Sequence, residues 1–462
     1  MMSAMPDTTR HAPAATPRQE ARVTDRSRRV ILLMSPASYR GGSFLDAARD
    51  LGLDCLPTVD LPPGLQAAWE LPEGVIALDL ADPEAAVARI VAEAAREPVD
   101  AVLAVDDGAT LVAARANAAL GLVHNDPEAA LAARDKWVMR ERLRAGGVPV
   151  PWYQRFPAST DPASVAGDLE YPLVVKPTMM SGSRGVIRAD DPAEFARAFA
   201  RTRQIVRKER GDDGGDILVE GYLPGVEVAL DGLLTGGDLR VLALFDKPDP
   251  LDGPFFEETI YVTPSRLPAG TRRAIAARAA EAARAIGLRT GPIHTELRVN
   301  DAGVWLIEMA GRSIGGLCST ILEFGAGVSL ENLILRHAVG LPLPDHMGGT
   351  PGEAGSDGPD AGTSQGEGPG EGAAVMMIPI PRGGMLRGVS GEDEARAVPG
   401  VTGIEITARL NQPLVALPEG ASYLGFIFAR AEDPATAEAA LRRAHAVLRF
   451  RIDALIPLEV GD

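Results

Sequence analysis

The sequence predicts an α/β protein in three folded parts: a parallel α/β layer, a larger mixed module, and a small α+β lobe. Three observations carry that class. Apolar strand-like runs alternate with amphipathic helical stretches over residues 29–124. Apolar strands joined by turns make up 216–248 and return as a hairpin at 293–309. After a stretch without core-forming residues, strands and one helical pattern return at 372–462. The chain has 462 residues, 46% hydrophobic, enough for roughly two to four domains.

The first 28 residues have no apolar run and read as a disordered lead-in, not a secretory signal. "RRVILLMSP" (29–36) is a strand, and "SYRGGSFLDAARDLG" turns on glycine into a helix. "GVIALDL" is the next strand, "DPEAAVARIVAEAAREP" a helix, and "VDAVLAVDD" (99–107) a third strand. The short "RGG" is no dinucleotide fingerprint, because G-x-G-x-x-G is absent.

At 125 the character changes. Asn125 or Asp126 can cap a helix with Pro127 in its first turn. A second helix carries Asp135 and Lys136 and stops at Gly146-Gly147. "YPLVVKP" is a strand and "TMMSGSRGV" a glycine–serine loop; 216–248 reads as three strands turning at Pro224-Gly225 and Gly236-Gly237. The module runs from 125 to 346. Residues 347–371 hold five acids and no base among Gly, Pro, Ser and Thr, and read as a flexible insertion. The last lobe spans 372–462.

The net charge of −17 argues against nucleic acid or an anionic membrane as the main partner. No run approaches the ~18 apolar residues that span a bilayer. Cys55 and Cys318 stand alone and far apart, so no disulfide framework is indicated and a cytoplasmic setting is expected.

The chemistry begins in "IHTELRVNDAGVWLIEMAGRSIGG" (293–316), two apolar strands that carry Glu296 and Glu308. With Asp301-Ala302-Gly303 as a three-residue loop, Asn300 faces Val304 and Glu296 sits opposite Glu308. Like charges so placed repel, and an oxygen-seeking divalent cation would relieve them. A register slipped by one would instead put the two carboxylates on opposite faces, and both readings stay open. Lys176 ends the apolar strand "LVVKP" directly before "SGSRGV", where a point charge and a turn of backbone N–H groups suit phosphate. In "LVEGYLPGVE" (218–227), strand-edge groups can pair with a base, and Glu220 or Glu227 can accept ribose hydroxyls.

In order and spacing, from about Asn125 to Gly340, these pieces resemble the ATP-grasp superfamily. Within it, "FEETIYVTPS" (256–265) and the tail "SYLGFIFARAEDPATAEAALRRA" are similar to the L-amino-acid ligases. The resemblance implies an ATP-grasp fold and ATP-driven amide formation between amino acids through an acyl phosphate, with ADP released. It implies ATP with magnesium, or manganese in its place. Lys136 and Lys176 would contact phosphates, covered by a loop of Ser181, Gly182, Ser183 and Gly185. Glu220, Tyr222 and Leu223 would flank adenine, and Glu227 would hold ribose. Glu296 and Glu308 would bind metal. Ala310 stands where many relatives carry a further asparagine ligand, which leaves the metal count open. Arg312 would face the reacting centre, with Gly315 and Gly316 offering backbone donors beside it.

Glu258 would meet a substrate ammonium and Tyr261 would wall the pocket, although paired glutamates in a loop are also read as solvent-exposed. His294 is expected to be structural and turned away from Glu296. The partners expected are small molecules, with homodimerisation open. Two other classes stand beside the ligase reading. One is an ATP-grasp reaction on a different carboxylate or amine, and the other a nucleotide sensor without turnover.

Overall fold

The computed structural model describes residues 26–454 apart from 36–37, 67, 69, 212–214, 325–326 and 345–370. The lead-in expected over 1–28 and the insertion expected over 347–371 lie almost wholly outside the described residues. The end of the lead-in is tied down, however. Arg26 pairs with Asp100 at 2.9 Å, and Ser27 Oγ donates to the Gly52 carbonyl at 2.8 Å.

The first layer is a parallel sheet of β1 (Arg29–Leu33), β2 (Asp54–Asp60), β3 (Ile76–Leu78) and β4 (Ala101–Ala104), ordered β3-β2-β1-β4. All five residues of β1 are buried, as a central strand covered on both faces requires. Sequence reading misses β2, because Pro57 and the following Pro62-Pro63 look like breakers. Pro57 is tolerated where pairing changes hands: it ends the register with β1, and Thr58 begins the register with β3. The third predicted strand (99–107) is shorter than expected. It stops at Ala104, and Asp107–Ala109 forms a 3-10 turn into the helix Thr110–Leu120. Asp106 and Asp107 thereby sit at the carboxyl ends of the parallel strands, where open α/β sheets bind ligands.

The middle of the chain builds two sheets. β5 (Tyr153–Pro157), β6 (Leu173–Pro177), β7 (Ile187–Ala189) and β8 (Asp216–Gly221) form a small antiparallel sheet, ordered β5-β8-β6-β7, backed by the helix Pro192–Arg210. β9 (Val226–Thr235), β10 (Asp238–Asp246), β11 (Ile260–Thr263), β12 (Gly291–Asn300) and β13 (Gly303–Ala310) form one side of a larger sheet. The last part supplies β14 (Gly372–Ile378), β15 (Gly384–Ser390), β16 (Val401–Ile406), β17 (Pro413–Leu414), β18 (Gly425–Ala431) and β19 (Arg449–Asp453). The larger sheet runs β13-β12-β9-β10-β11-β14-β18-β16, so it crosses residue 372, where the sequence places the start of a separate lobe. Four residue pairs, Ile260–Met376 to Thr263–Ala373, stitch β11 to β14. β17, β15 and β19 make a small sheet of their own.

Capping follows the sequence signals. Asp82, Asp126 and Asp135 each accept a backbone N–H at a helix start, and Pro83 and Pro127 occupy first turns. Asp135 accepts from Trp137 and Val138 at 2.9 and 3.2 Å, which fixes Lys136 as the first residue of its helix, pointing into the cleft between the sheets.

Candidate active site

The β12–β13 hairpin answers the register question by a route the sequence did not show. The turn has two residues, Asp301 and Ala302, and Asn300 faces Gly303 where Val304 was expected. That shift alone would separate the glutamates. A bulge restores them: Leu297 pairs with Leu306 but Glu296 with Glu308, leaving Ile307 unopposed. Arg140 Nη2 donates to the Ile307 carbonyl at 2.8 Å. Burial first, then the nearby charges of Glu258, Glu227 and Glu308, push the Glu296 carboxyl well above its usual range despite Lys247. A cation between Glu296 and Glu308 would reverse that, so the pair fits a divalent metal by its donor chemistry.

Across the cleft lies a buried group of cations. Arg140 grips Glu220 with two hydrogen bonds, 2.8 and 3.2 Å, and Lys176 Nζ donates to the same carboxylate. Relative exposures are 1%, 4% and 4% for Arg140, Lys176 and Glu220, which makes this a dry ion cluster. Burial would raise the Glu220 carboxyl, but Arg140 and then Lys176 hold it down to about 2. Lys176 is lowered, by burial first and then by Arg140 and Lys136, which outweigh Glu220. The cluster is short of negative charge, and a polyanion would make up the deficit. Lys136 Nζ donates to Glu308 Oε1 at 2.9 Å and to the Met180 carbonyl at 2.7 Å, joining the glutamate pair to the glycine loop. In that loop Gly182, Ser183 and Gly185 all have φ between 54° and 69°, the left-handed region that lets a tight loop pass close to a ligand.

Several of the expected carboxylates already hold cation partners. The Glu220 carboxylate, expected to flank adenine, is paired with Arg140 and Lys176. Glu227, expected to hold ribose, receives Lys247 Nζ at 2.9 Å and Arg298 Nε at 2.8 Å. Lys247 Nζ also donates to Glu258 and lies 3.8 Å from Glu296. Carboxylate oxygens of Glu227, Glu258 and Glu296 approach within 4.8 Å of one another, but an ammonium stands among them where a metal would otherwise sit. Burial raises and Lys247 more than offsets, leaving the Glu258 carboxyl at about 2. Tyr261 Oη donates to it at 2.8 Å, so Glu258 is part of the cleft and not a solvated loop acid.

His294 corrects a face assignment. Residues two apart on a strand share a face. His294 Nε2 is 3.9 Å from Glu296 Oε1, and Nδ1 is 3.3 Å from Asp231 Oδ2. Tyr222 stacks near Phe256, its ring under the guanidinium groups of Arg188 and Arg298, while the Leu223 carbonyl accepts from Arg298 at 2.6 Å.

Arg312 follows β13 and reaches toward the first layer. Its Nη2 donates to Asp107 Oδ2 at 2.6 Å and its Nη1 to the Ser313 carbonyl at 2.8 Å. Burial would pull the guanidinium down, but Asp107 holds it above its usual range, so the charge is permanent. The backbone donors expected after it are partly committed, since Ile314 N–H donates to Asp231 at 2.8 Å. Gly315 and Gly316 line the cavity, and a Cβ on Gly316 would come within 3.0 Å of the Phe426 ring.

Lys136, Lys176, Glu258, Glu296, Glu308 and Arg312 all line one cavity of about 820 Å³, which Ser38, Tyr39, Asp107 and Tyr423 line as well. Lys247, Arg298, Arg140 and Asp107 were missed in the sequence. Two of them had a signal. "FDKP" repeats the strand-lysine-proline pattern of "VVKP", and Arg298 shares the strand face of Glu296. Arg140 and Asp107 had none, because both depend on contacts with residues far away in the sequence, 80 or more positions on.

Three family models match the chain: ATP-grasp N-terminal domain over 45–124, ATP-grasp domain over 169–321, and L-amino acid ligase C-terminal domain 2 over 376–453. The crystal structure of an L-amino acid ligase from Bacillus licheniformis superposes with a TM-score of 0.76 at 24% identity, covering 93% of this chain and 100% of that one. Alanine–anticapsin ligase of Bacillus subtilis is 27% identical over 54% of this chain and 56% of its own length. Dapdiamide A synthase of Enterobacter agglomerans is 28% identical over 49% and 53%. The chain thus spans less than two thirds of the length of these curated relatives. No described helix is long and apolar enough to cross a membrane.

Proposed function

We propose that this chain, a member of the ATP-grasp superfamily, is an ATP-dependent ligase that joins the carboxyl group of one amino acid to the amino group of another. The observation that carries the reading is the convergence of Glu296 opposite Glu308, with Lys136, Lys176 and Arg312, on one cavity. Cations and paired carboxylates meeting across a dry cleft suit the approach of a carboxylate to a polyphosphate.

In the first step a substrate carboxylate oxygen attacks the γ-phosphorus, the β–γ bridging bond breaks, and ADP leaves. Lys136 and Lys176 hold phosphate oxygens, Lys136 exchanging its contacts to Met180 and Glu308 for them. In the second step an amine nitrogen attacks the acyl carbon, the bond from that carbon to the phosphate oxygen breaks, phosphate departs, and the nitrogen gives its extra proton to solvent. Arg312, fixed by Asp107, holds the transferring phosphoryl group and then the tetrahedral oxyanion, which its planar fork fits better than an ammonium would. Glu258 and Tyr261 receive the substrate ammonium, with Lys247 keeping Glu258 ionised. Magnesium or manganese held by Glu296 and Glu308 supplies charge neutralisation at the phosphates when bound.

The test is ADP release, with ATP and magnesium, over a matrix of amino-acid pairs. Release should require two particular amino acids and fall about a hundredfold or more in Glu308→Gln. Nucleotide binding without stimulation by any pair would sink the amino-acid reading and leave another carboxylate or amine, or a sensor.

A further inference from the structure

The glycine loop is held from outside its own domain. The Gly185 N–H donates to the Pro418 carbonyl at 2.8 Å, and Arg184 Nε donates to the Glu419 carbonyl at 3.3 Å. Arg201, on the helix behind the loop, grips the Glu419 carboxylate in fork geometry, Nε to Oε1 at 2.7 Å and Nη2 to Oε2 at 3.0 Å. The guanidinium holds that carboxyl below its usual range. The carbonyl side of the same residue is fixed as well, since Thr202 Oγ1 donates to the Gly185 carbonyl at 2.8 Å.

The partner segment, between β17 and β18, is a preformed tight turn. Gly420 N–H closes on the Ala416 carbonyl at 2.9 Å, and a Cβ on Gly420 would lie 1.9 Å from the Val415 carbonyl oxygen, so only glycine allows the turn. Ala421 then packs on the loop: a Cβ on Gly182 would stand 3.0 Å from the Ala421 Cβ. Ala421 and Tyr423 also line the cavity. A turn that touches the phosphate-facing loop on one side and the cavity on the other can couple the two.

We infer that the turn 416–421 is a latch, with Glu419 and Arg201 as positioning residues that hold the glycine loop closed over bound nucleotide. Its role in turnover rests on the ligase reading; the latch itself does not. One exposed ion pair contributes modestly, so the effect is a shift in loop opening, not a loss of fold. Fork geometry puts the pair at the upper end of that range.

The experiment is amide exchange of the peptide covering 181–186 in the full chain, for wild type, Glu419→Ala and the charge-swapped pair Arg201→Glu/Glu419→Arg, alongside ATP and amino-acid KM. Glu419→Ala should speed exchange about three- to fivefold and raise the ATP KM by a similar factor, with amino-acid KM unchanged. The swapped pair should return both toward wild type, which a merely structural surface residue would not do. Unchanged exchange in Glu419→Ala, or a swapped pair as open as the single variant, overturns the latch. Exchange that responds as stated in a protein without amino-acid-dependent ADP release keeps the latch and removes only the ligase reading.

Discussion

Arg312→Ala is expected to lower amino-acid-dependent ADP release about a hundred- to a thousandfold while leaving ATP binding within a few-fold of wild type. The reason is where the charge sits. Its guanidinium is tied to Asp107 from the first layer and to its own chain at Ser313, not to a phosphate-facing lysine. On the proposed reaction it would serve the group being transferred, while Lys136 and Lys176 would serve the nucleotide. Arg312→Lys should recover little, because one ammonium cannot keep the Asp107 contact and a two-point hold on an oxyanion together. Asp107→Asn separates positioning from charge: it keeps the shape but removes the anchor, and should give an intermediate loss. Isothermal titration with ATP beside steady-state ADP release checks the division. Equal losses in binding and turnover would place Arg312 on the nucleotide instead.

The sequence showed most elements of the fold and most of the residues that line the cavity, but not who pairs with whom. Local signals were dependable: the Asp caps, the prolines in first turns and the glycine turns at 224–225 and 236–237 are set by nearest neighbours. Pro57 misled because its tolerance depends on where pairing passes between two strands, which one chain segment cannot express. The Glu296–Glu308 facing was anticipated through the wrong turn, and Ile307 supplied the missing residue as a bulge. Glu220 and Glu227 were read as nucleotide contacts since strand-end acids invite that role. The cations that pair with them, Arg140 and Lys247 with Arg298, arrive from elements 80, 20 and 71 residues away. Charge balance among such distant residues is a property of the assembled cleft.

Glu220→Ala should be among the most destabilising single changes available in this chain. It strands Arg140 and Lys176, 1% and 4% exposed, without their shared carboxylate. Breaking a buried pair from one side costs about 3–5 kcal/mol, more than the surface ion pairs can offset. The pH dependence gives an independent reading. The folded carboxyl lies at about 2 against an ordinary 4.5, so its contribution is fully present above the unfolded value and is lost as pH falls toward 2. Denaturant midpoints of wild type should drop across that window, and those of Glu220→Ala should drop less. Parallel acid profiles for the two proteins would mean that the carboxylate is not the group responsible. Lys176 acts in the opposite sense. Its pKa is lowered in the fold, so its charge is a burden until an anion arrives. Lys176→Met, which leaves Arg140 to balance Glu220 alone, should match or exceed wild-type stability without nucleotide. The same variant should lose most of the Tm rise that ATP and magnesium give wild type. A residue kept against its own stability is explained by the ligand it waits for, and a Lys176→Met variant that retained the full ATP-dependent rise would remove that explanation.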